Sequence, residues 1–405
     1  MIKRNLYLDQ IRPFIDKPII KVLTGIRRSG KSAILAMLKD ELQMRGILEE
    51  NIICLNFESM ELSDIDNFKS LYTFVKAKIN NNSKYYVLLD EIQEVKSWEK
   101  AVNSFLVDFD CDIYITGSNS KLLSSELATY IAGRYVEINV SPLSFAEYLD
   151  FRKKRNPNMT ADISQEFVKY LRLGGFPILH TADYTFDDAY KIISDIYASA
   201  ILRDIVQRNR IRNIALLEKV VKFVFENIGN MFSAKKVADY FKSQQRKVDI
   251  ETVYNYLNAL ENAFIIYRVP RYDLKGKEVL QTNEKYFIGD QGLKYAVMGY
   301  RDRDISGILE NIVFLELKRR GYQVYVGILG NKEIDFVAEK KDQKIYIQVA
   351  YKLSEQSTIE REFGVFDGVR DNYPKYVVTM EELWQDNING IIHKNIAEFL
   401  LMDQY

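Results

Sequence analysis

The chain is short of the residues that zinc and redox chemistry need. Two cysteines, Cys54 and Cys111, and two histidines, His180 and His393, are spread over 405 residues. Zinc sites gather such side chains in threes and fours, so a zinc site is nearly excluded. Each cysteine lies beside strand-like sequence and is expected as a buried free thiol, which suits a reducing cytosol. An excess of one charge is lacking too: Lys plus Arg and Asp plus Glu each number 56. That excludes a global polybasic field, so contact with nucleic acid needs a local patch. No window approaches 18 uncharged apolar residues, and no segment is expected to span a membrane. The start, Met1 to Asp9, has no apolar h-region, so no secretory signal is expected and the expected compartment is the cytoplasm. At 47% hydrophobic and 28% charged, the composition is that of a folded protein with large cores. Its length suits roughly two to four domains.

What is present is concentrated near the start. Residues 25–32 read G-I-R-R-S-G-K-S after the apolar run 19–24, and a helical pattern follows over 33–42. A buried strand therefore feeds a G-x-x-x-x-G-K-S phosphate loop. Glycines let backbone N–H groups curl around a polyphosphate, and the following helix aims its positive end at the same anion. Lys31 is expected to reach the β- and γ-phosphates of ATP, and the Ser32 hydroxyl to ligate Mg²⁺. The candidate phosphate-binding set is Gly25, Arg27, Arg28, Ser29, Gly30, Lys31, Ser32 and Ala33. Either arginine binds phosphate, or it faces solvent or an acid.

A second apolar strand, 85–90, ends in Asp90-Glu91. At this distance after a phosphate loop, Asp90 is the expected Mg²⁺ carboxylate and Glu91 the base that polarises the attacking water. The strand at 112–116 leads into Gly117-Ser118-Asn119. Ser118 or Asn119 touches the γ-phosphate or the attacking water, caps the next helix, or does both. That helix is expected over 121–131, with Gly133 at its C-cap and Arg134 at the start of the next strand. Arg134 either serves as an arginine finger to a neighbouring chain or makes an ion pair within its own.

Strand and helix alternate over 1–150, with strands at 19–24, 51–57, 85–90, 112–116 and 135–140, which argues for an α/β domain with a mainly parallel sheet. Residues 152–158, R-K-K-R-N-P-N, read as a basic, proline-broken linker. Helical sequence over 160–212 is interrupted by Gly174-Gly175-Phe176-Pro177. Three helical patterns, 216–227, 234–241 and 251–261, then precede β-rich sequence. Helix, helix, helix, strand suggests a winged helix-turn-helix, with a basic cluster at Lys235, Lys236, Lys242, Arg246 and Lys247. Such a domain either contacts DNA or is structural.

Together these residues resemble a widespread prokaryotic family of AAA-type ATPases. The matching elements are GIRRSGKS (25–32), LLDEIQ (88–93), TGSN (116–119), GRY (133–135), SPLSFAEY (141–148), GGFP (174–177), LEN (309–311), EIDF (333–336) and IQVAY (347–351). The resemblance runs nearly end to end. It implies an α/β P-loop NTPase fold with parallel sheet order 5-1-4-3-2 over 1–150, a helical lid over 151–212, a winged helix-turn-helix over 213–300 and a nuclease-like α/β domain over 301–405. It also implies that Pro177 belongs to a lid motif packed near the nucleotide base, the alternative being a bare interhelical turn.

The nuclease pattern is a helix Glu, a strand Asp and then Glu-x-Lys. Here Glu310 lies on a helical pattern, and Glu333 and Asp335 share a strand face. Gln348 and Ala350 stand where an acid and the lysine belong. Lys352 is on the same face about 7 Å farther along and is a poor substitute. A neutral amide is a weak ligand for a hard metal, so Glu310 and Asp335 are left to hold at most one weak Mg²⁺, and cleavage is expected to be lost. The expectation is a cytoplasmic, homo-oligomeric, Mg²⁺-dependent ATPase that works as a motor or switch on a DNA or protein client. The alternatives are a slow nucleotide-gated binding module and an ATP-dependent nuclease.

Overall fold

A computed structural model describes residues 2–120, 133–158, 162–245, 248–381 and 387–405. The expected helix at 121–131 and the basic pair Arg246-Lys247 lie outside the described residues. Two compact units form, one from Met1–Val140 with Asn262–Phe264, the other from Ser141–Glu261 with Ile265–Tyr405.

The first unit runs α1 (Asn5–Ile11), β1 (Ile20–Thr24), α2 (Lys31–Met44), β2 (Ile52–Asn56), α3 (Phe68–Lys78), β3 (Tyr85–Asp90), α4 (Trp98–Asp108), β4 (Cys111–Thr116) and β5 (Tyr135–Asn139). The strands order as β2-β3-β4-β1-β5, every neighbouring pair parallel. This is the expected 5-1-4-3-2 order. Strands β1 and β3 are buried along their whole length because helices cover both faces. Alternate side chains then supply two cores. Val22, Val87 and Ile115 meet Leu71, Trp98 and Phe105, while Leu23, Leu88 and Tyr114 meet Tyr7, Ile34 and Leu38. Cys54 departs from expectation: it is exposed, and Cys111 half-buried. Strand β2 lies at the sheet edge, where the face carrying Cys54 is incompletely covered.

The second unit begins with α5 (Phe145–Arg155), whose start is fixed by a reciprocal cap between Ser144 and Glu147. The basic stretch expected as a linker is thus partly the last turn of a helix. Arg152 is held by Glu166 and Asp183, and Arg155 by Asp183. Then come α6 (Ile163–Leu173), a 3₁₀ turn at Pro177–His180, α7 (Phe186–Ser199), a π-helical segment at Ala200–Gln207, α8 (Ile214–Glu226), β6 (Met231–Phe232), α9 (Ala234–Ser243) and α10 (Ile250–Asn262). A hairpin of β7 (Ile266–Asp273) and β8 (Glu278–Ile288) follows, then α11 (Gln291–Met298), α12 (Ile305–Arg319), β9 (Gln323–Leu329), β10 (Lys332–Lys340), β11 (Gln343–Val349), α13 (Gln356–Gly364), β12 (Lys375–Thr379), β13 (Asn387–Ile388), β14 (Ile391–Asn395) and α14 (Ile396–Leu401).

One sheet of nine strands, β13-β14-β12-β11-β10-β9-β7-β8-β6, joins the hairpin to the C-terminal strands. The joint is parallel pairing of β7 with β9, Arg271 opposite Val326 and Asp273 opposite Ile328. Helix α12 packs onto this sheet, with Phe314 stacked on Phe287. Between α6 and the 3₁₀ turn, Gly174 has φ +77° and Gly175 N donates to Asp290 Oδ2 at 2.6 Å. A Cβ on Gly174 would sit 1.9 Å from Asp290 Oδ1, and one on Gly175 2.3 Å from Leu143 O, so neither position accepts a side chain.

Candidate nucleotide site

The site forms where the parallel strands of the first unit end, as ligand sites of such sheets do. Strand β1 stops at Thr24, and the chain turns through Gly25 at φ +140°, Arg28 at +65° and Gly30 at +100° before α2 starts at Lys31. Gly25 is required sterically: a Cβ there would lie 2.1 Å from Val140 O, just past the end of β5. The loop folds over its own lysine. Lys31 Nζ donates to Gly25 O at 2.9 Å and Ile26 O at 3.2 Å and is buried. Ser29 is fully buried, and its carbonyl accepts from Arg4 Nη1 at 2.7 Å. Arg4 is itself buried, stacked over Tyr7, and props the loop from the N-terminal segment. Sequence reading passed over it because it lies 25 positions from its partner.

The two arginines of the loop separate. Arg27 pairs with Glu58 at 2.8 Å, whereas Arg28 is exposed. Ser32 is exposed and Ala33 half-buried on the first turn of α2. The Ser32 hydroxyl reaches Asp90.

Asp90 and Glu91 are both buried at the tip of β3. Burial raises the Asp90 carboxyl above its ordinary range, and hydrogen bonds from the Thr116 and Ser32 hydroxyls draw it partly back. Thr116, at the tip of β4, serves both acids. Its Oγ1 donates to Asp90 Oδ1 and accepts the backbone N–H of Glu91 at 2.9 Å. Glu91 sits in the left-handed region, φ +52° and ψ +46°, a conformation that costs a non-glycine residue about 1–3 kcal/mol unless its surroundings enforce it. Its carboxylate lies 3.9 Å from Lys31 Nζ and accepts a hydrogen bond from the side-chain amide of Gln93.

Ser118 is fully buried and Asn119 nearly so, beyond the tip of β4. Arg134 is exposed at the start of β5 and donates to Asn103 Oδ1 at 3.2 Å. Pro177 belongs to the second unit, in the first turn of the 3₁₀ helix. The donor set of the first unit fits the expected ligands. Ser32 and Asp90 offer the hard oxygens that Mg²⁺ takes, and a positive-φ loop ending in a helix start with a buried lysine suits a polyphosphate.

A second cluster lies in the other unit, and the sequence pattern found only part of it. Glu310, Glu333 and Asp335 do converge, but on a residue not singled out: Lys285 of β8. Its Nζ lies 3.0 Å from Glu310, 2.7 Å from Glu333 and 3.0 Å from Asp335. Lys285 is 2% exposed. Burial draws its ammonium down, but Asp335, Glu310 and Glu333 outweigh that and hold it above the ordinary lysine range. Burial and the adjacent Asp335 push the Glu310 carboxyl up to about 8. Gln348 accepts from Asp335 N at 3.1 Å and donates to Glu362 at 2.9 Å. The acids expected to retain a weak metal are thus gathered around an ammonium.

Among the described residues, no helix is long and apolar enough to cross a membrane. Residues 17–149 match the family described as AAA domain, and residues 164–304 a domain of unknown function (DUF8612). An uncharacterized protein of Haemophilus influenzae is 41% identical over 403 residues, covering 99% of both chains. The uncharacterized protein MJ1544 of Methanocaldococcus jannaschii is 30% identical over 381 residues, covering 91% of this chain and 80% of that one. Among solved structures, the Walker-type ATPase PABY2304 of Pyrococcus abyssi superposes with a TM-score of 0.53 at 17% identity. The match spans 73% of this chain and 96% of that one. That likeness is one of fold.

Proposed function

The chain belongs to the family of the Haemophilus influenzae and Methanocaldococcus jannaschii proteins and carries an AAA domain, and from that premise we propose that it binds and hydrolyses ATP with Mg²⁺ to drive a conformational motor or switch. The single observation that carries this reading is the meeting of Lys31, Asp90, Glu91 and Thr116 at adjacent strand tips. Each group has one task. The loop N–H groups and Lys31 hold the β- and γ-phosphates. Ser32 and Asp90 hold Mg²⁺, which when bound neutralises charge building on the phosphate oxygens. Glu91 receives the proton of a water whose oxygen bonds to the γ-phosphorus as the bond to the β–γ bridging oxygen breaks. The electron pair of that bond leaves with ADP. Thr116 fixes the backbone of one acid and the carboxylate of the other.

The remaining parts of the reading concern assembly and client. Arg134, exposed and hydrogen-bonded to the neutral Asn103, suits a finger offered to a second copy of the chain. In this reading 1–150 is the ATPase, 151–212 the lid with Pro177, 213–300 a winged helix and 301–405 a nuclease-derived domain that no longer cuts. The client is DNA or a protein, and the setting is the cytoplasm. Loss of cleavage is supported by Lys285, which neutralises part of the acid cluster a catalytic metal would need.

The test is steady-state ATP turnover beside Mg-ATP affinity. Glu91→Gln keeps size and hydrogen bonding but loses the base. It should retain Mg-ATP and lose on the order of 10²–10⁴ in rate. Full turnover in that variant would overturn the assignment of Glu91. Incubation with linear, nicked, flapped and four-way-junction DNA in Mg²⁺ and Mn²⁺ tests the nuclease alternative. Cleavage that disappears in Asp335→Ala would establish it instead.

A further inference from the structure

The Ser29–Gly30 peptide of the phosphate loop is held from behind by Arg4, whose Nη1 donates to Ser29 O at 2.7 Å. Arg4 and Ser29 are shut off from solvent, at 2% and 0% exposure, whereas Gly30 is only half-buried. The guanidinium lies over the ring of Tyr7, 4.6 Å from its centroid. Tyr7 packs in the core that joins Leu23 of β1 to Ile34 and Leu38 of α2, the two elements between which the loop runs. A planar, stacked fork of donors is therefore anchored on the same frame as the loop it touches. A peptide unit is planar and trans, so its C=O and N–H point in opposite directions. With Ser29 O drawn back to Arg4, the Gly30 N–H points away from the buried N-terminal segment, to the open side of the loop. Among the described residues it donates to no group of the protein. It adjoins the amide donors at the start of α2 that the site offers to phosphate.

We propose that Arg4 is a positioning residue for the nucleotide, holding the Ser29–Gly30 peptide in the orientation that presents the Gly30 N–H to the β-phosphate. The opposite orientation is close at hand. Turning the peptide over carries Gly30 from φ +100° into the ordinary negative region, which glycine enters as readily. The N–H would then point into the buried side, and the carbonyl oxygen, with its partial negative charge, toward the phosphate. A loop in that state repels the anion it should hold. Ser29 O accepts from a cation, and charge-assisted hydrogen bonds are the stronger ones, so the contact weights the loop toward the productive orientation. Removing it lowers the fraction of loops able to bind, and the apparent affinity falls with that fraction. Bound nucleotide restores the orientation, which leaves the chemical step untouched. The inference rests on the ATPase reading and adds to it a residue outside the loop motif that sets affinity rather than rate.

The test compares wild type with Arg4→Met, which keeps the stem over Tyr7 and removes the donor, and with Arg4→Lys, which keeps a cationic donor. Four quantities are measured: the affinities for Mg-ADP and Mg-AMPPNP by calorimetry, turnover at saturating Mg-ATP, and the melting temperature. In Arg4→Met both affinities should fall by the same factor, on the order of 10–10²-fold, while turnover at saturation stays within about threefold. Arg4→Lys should recover part of the affinity. It also stands in for the methionine variant should that fail to fold: its smaller loss must again be equal for both nucleotides and absent from saturated turnover. A lower melting temperature with wild-type affinities would show a packing contact only and would overturn the proposal. So would a loss confined to AMPPNP, or a saturated turnover that falls as far as the affinity does. A wild type that binds neither nucleotide would instead sink the ATPase reading, and this inference with it.

Discussion

Replacing Lys285 by methionine removes one charge and little volume, and its consequences follow from the cluster around it. The ammonium has three carboxylates within 3.0 Å and is shut off from water. Removing one partner of a buried ion pair costs about 3–5 kcal/mol, because the abandoned charges cannot rehydrate. For a unit of this size that corresponds to a fall in melting temperature on the order of 10 °C. The deficit has a sign in pH. Glu310 already titrates near 8, above its ordinary range, so the stability its protonation supplies is fully present in acid and is lost as pH rises through 8. Without the lysine, repulsion among the three acids raises that threshold further. The variant should therefore lie close to wild type near pH 5 and fall away steadily toward pH 9. A divalent cation should substitute for the missing charge. Millimolar Mn²⁺ should raise the melting temperature of Lys285→Met and leave wild type unmoved, by ordinary binding linkage. Differential scanning calorimetry across pH 5–9, with and without Mn²⁺, reads all of this. A deficit under about 1 kcal/mol that is flat with pH would show that the lysine does not carry the cluster.

Thr116→Val swaps a hydroxyl for a methyl and leaves Glu91 N–H without its acceptor, so stability should fall by about 1–3 kcal/mol and turnover should need more Mg²⁺; an unchanged Mg²⁺ titration would count against the bridging role. If Arg134 works across a chain interface, turnover per chain should rise with protein concentration, and Arg134→Ala should bind ATP yet lose up to about 10³-fold in rate; concentration-independent turnover by a monomer refutes this. Burial pushes Asp290 up to about 7, so its contribution is full below about pH 4 and is lost as pH rises through 7. Burial lowers His180, which bonds Gly174 O, to about 4, so its contribution is full above its ordinary range and is lost as pH falls. Asp290→Asn should remove the Asp290 slope, so between pH 4 and 7 the variant gains stability relative to wild type as pH rises, and chemical denaturation of both proteins at four pH values checks the sign of that difference.

The strands themselves and the loop at 25–32 were legible because each depends on local chemistry, whereas the order of the strands followed from the family resemblance and not from spacing. A loop that must curl around phosphate needs Gly25 and Gly30 at fixed spacing, and a strand buried on both faces must be apolar along its length, as 85–89 is. Thr116 was quoted within its motif but not for its task. A hydroxyl at a strand tip has no spacing that tells which neighbouring tip it will meet, and here it meets that of β3. Lys285 was hidden for a stronger reason. It lies 25 residues from Glu310 and 50 from Asp335 on a strand with no helical or acidic pattern, and only sheet assembly brings them together. The exposure of Cys54 reflects edge position, which composition does not encode. The run 152–155 read as a linker because charge density outweighed helix propensity in the reading; in the fold, Glu166 and Asp183 gather those charges.

The pairing of β7 with β9 bears on how this chain can be rebuilt. A boundary drawn at residue 300 falls between two strands that share hydrogen bonds, so an exchange of C-terminal parts between relatives at that point would join mismatched edges. The graft that respects the sheet starts ahead of Ile266 and carries the hairpin along with everything after it. The register of Arg271 opposite Val326 is the seam that any such exchange must preserve.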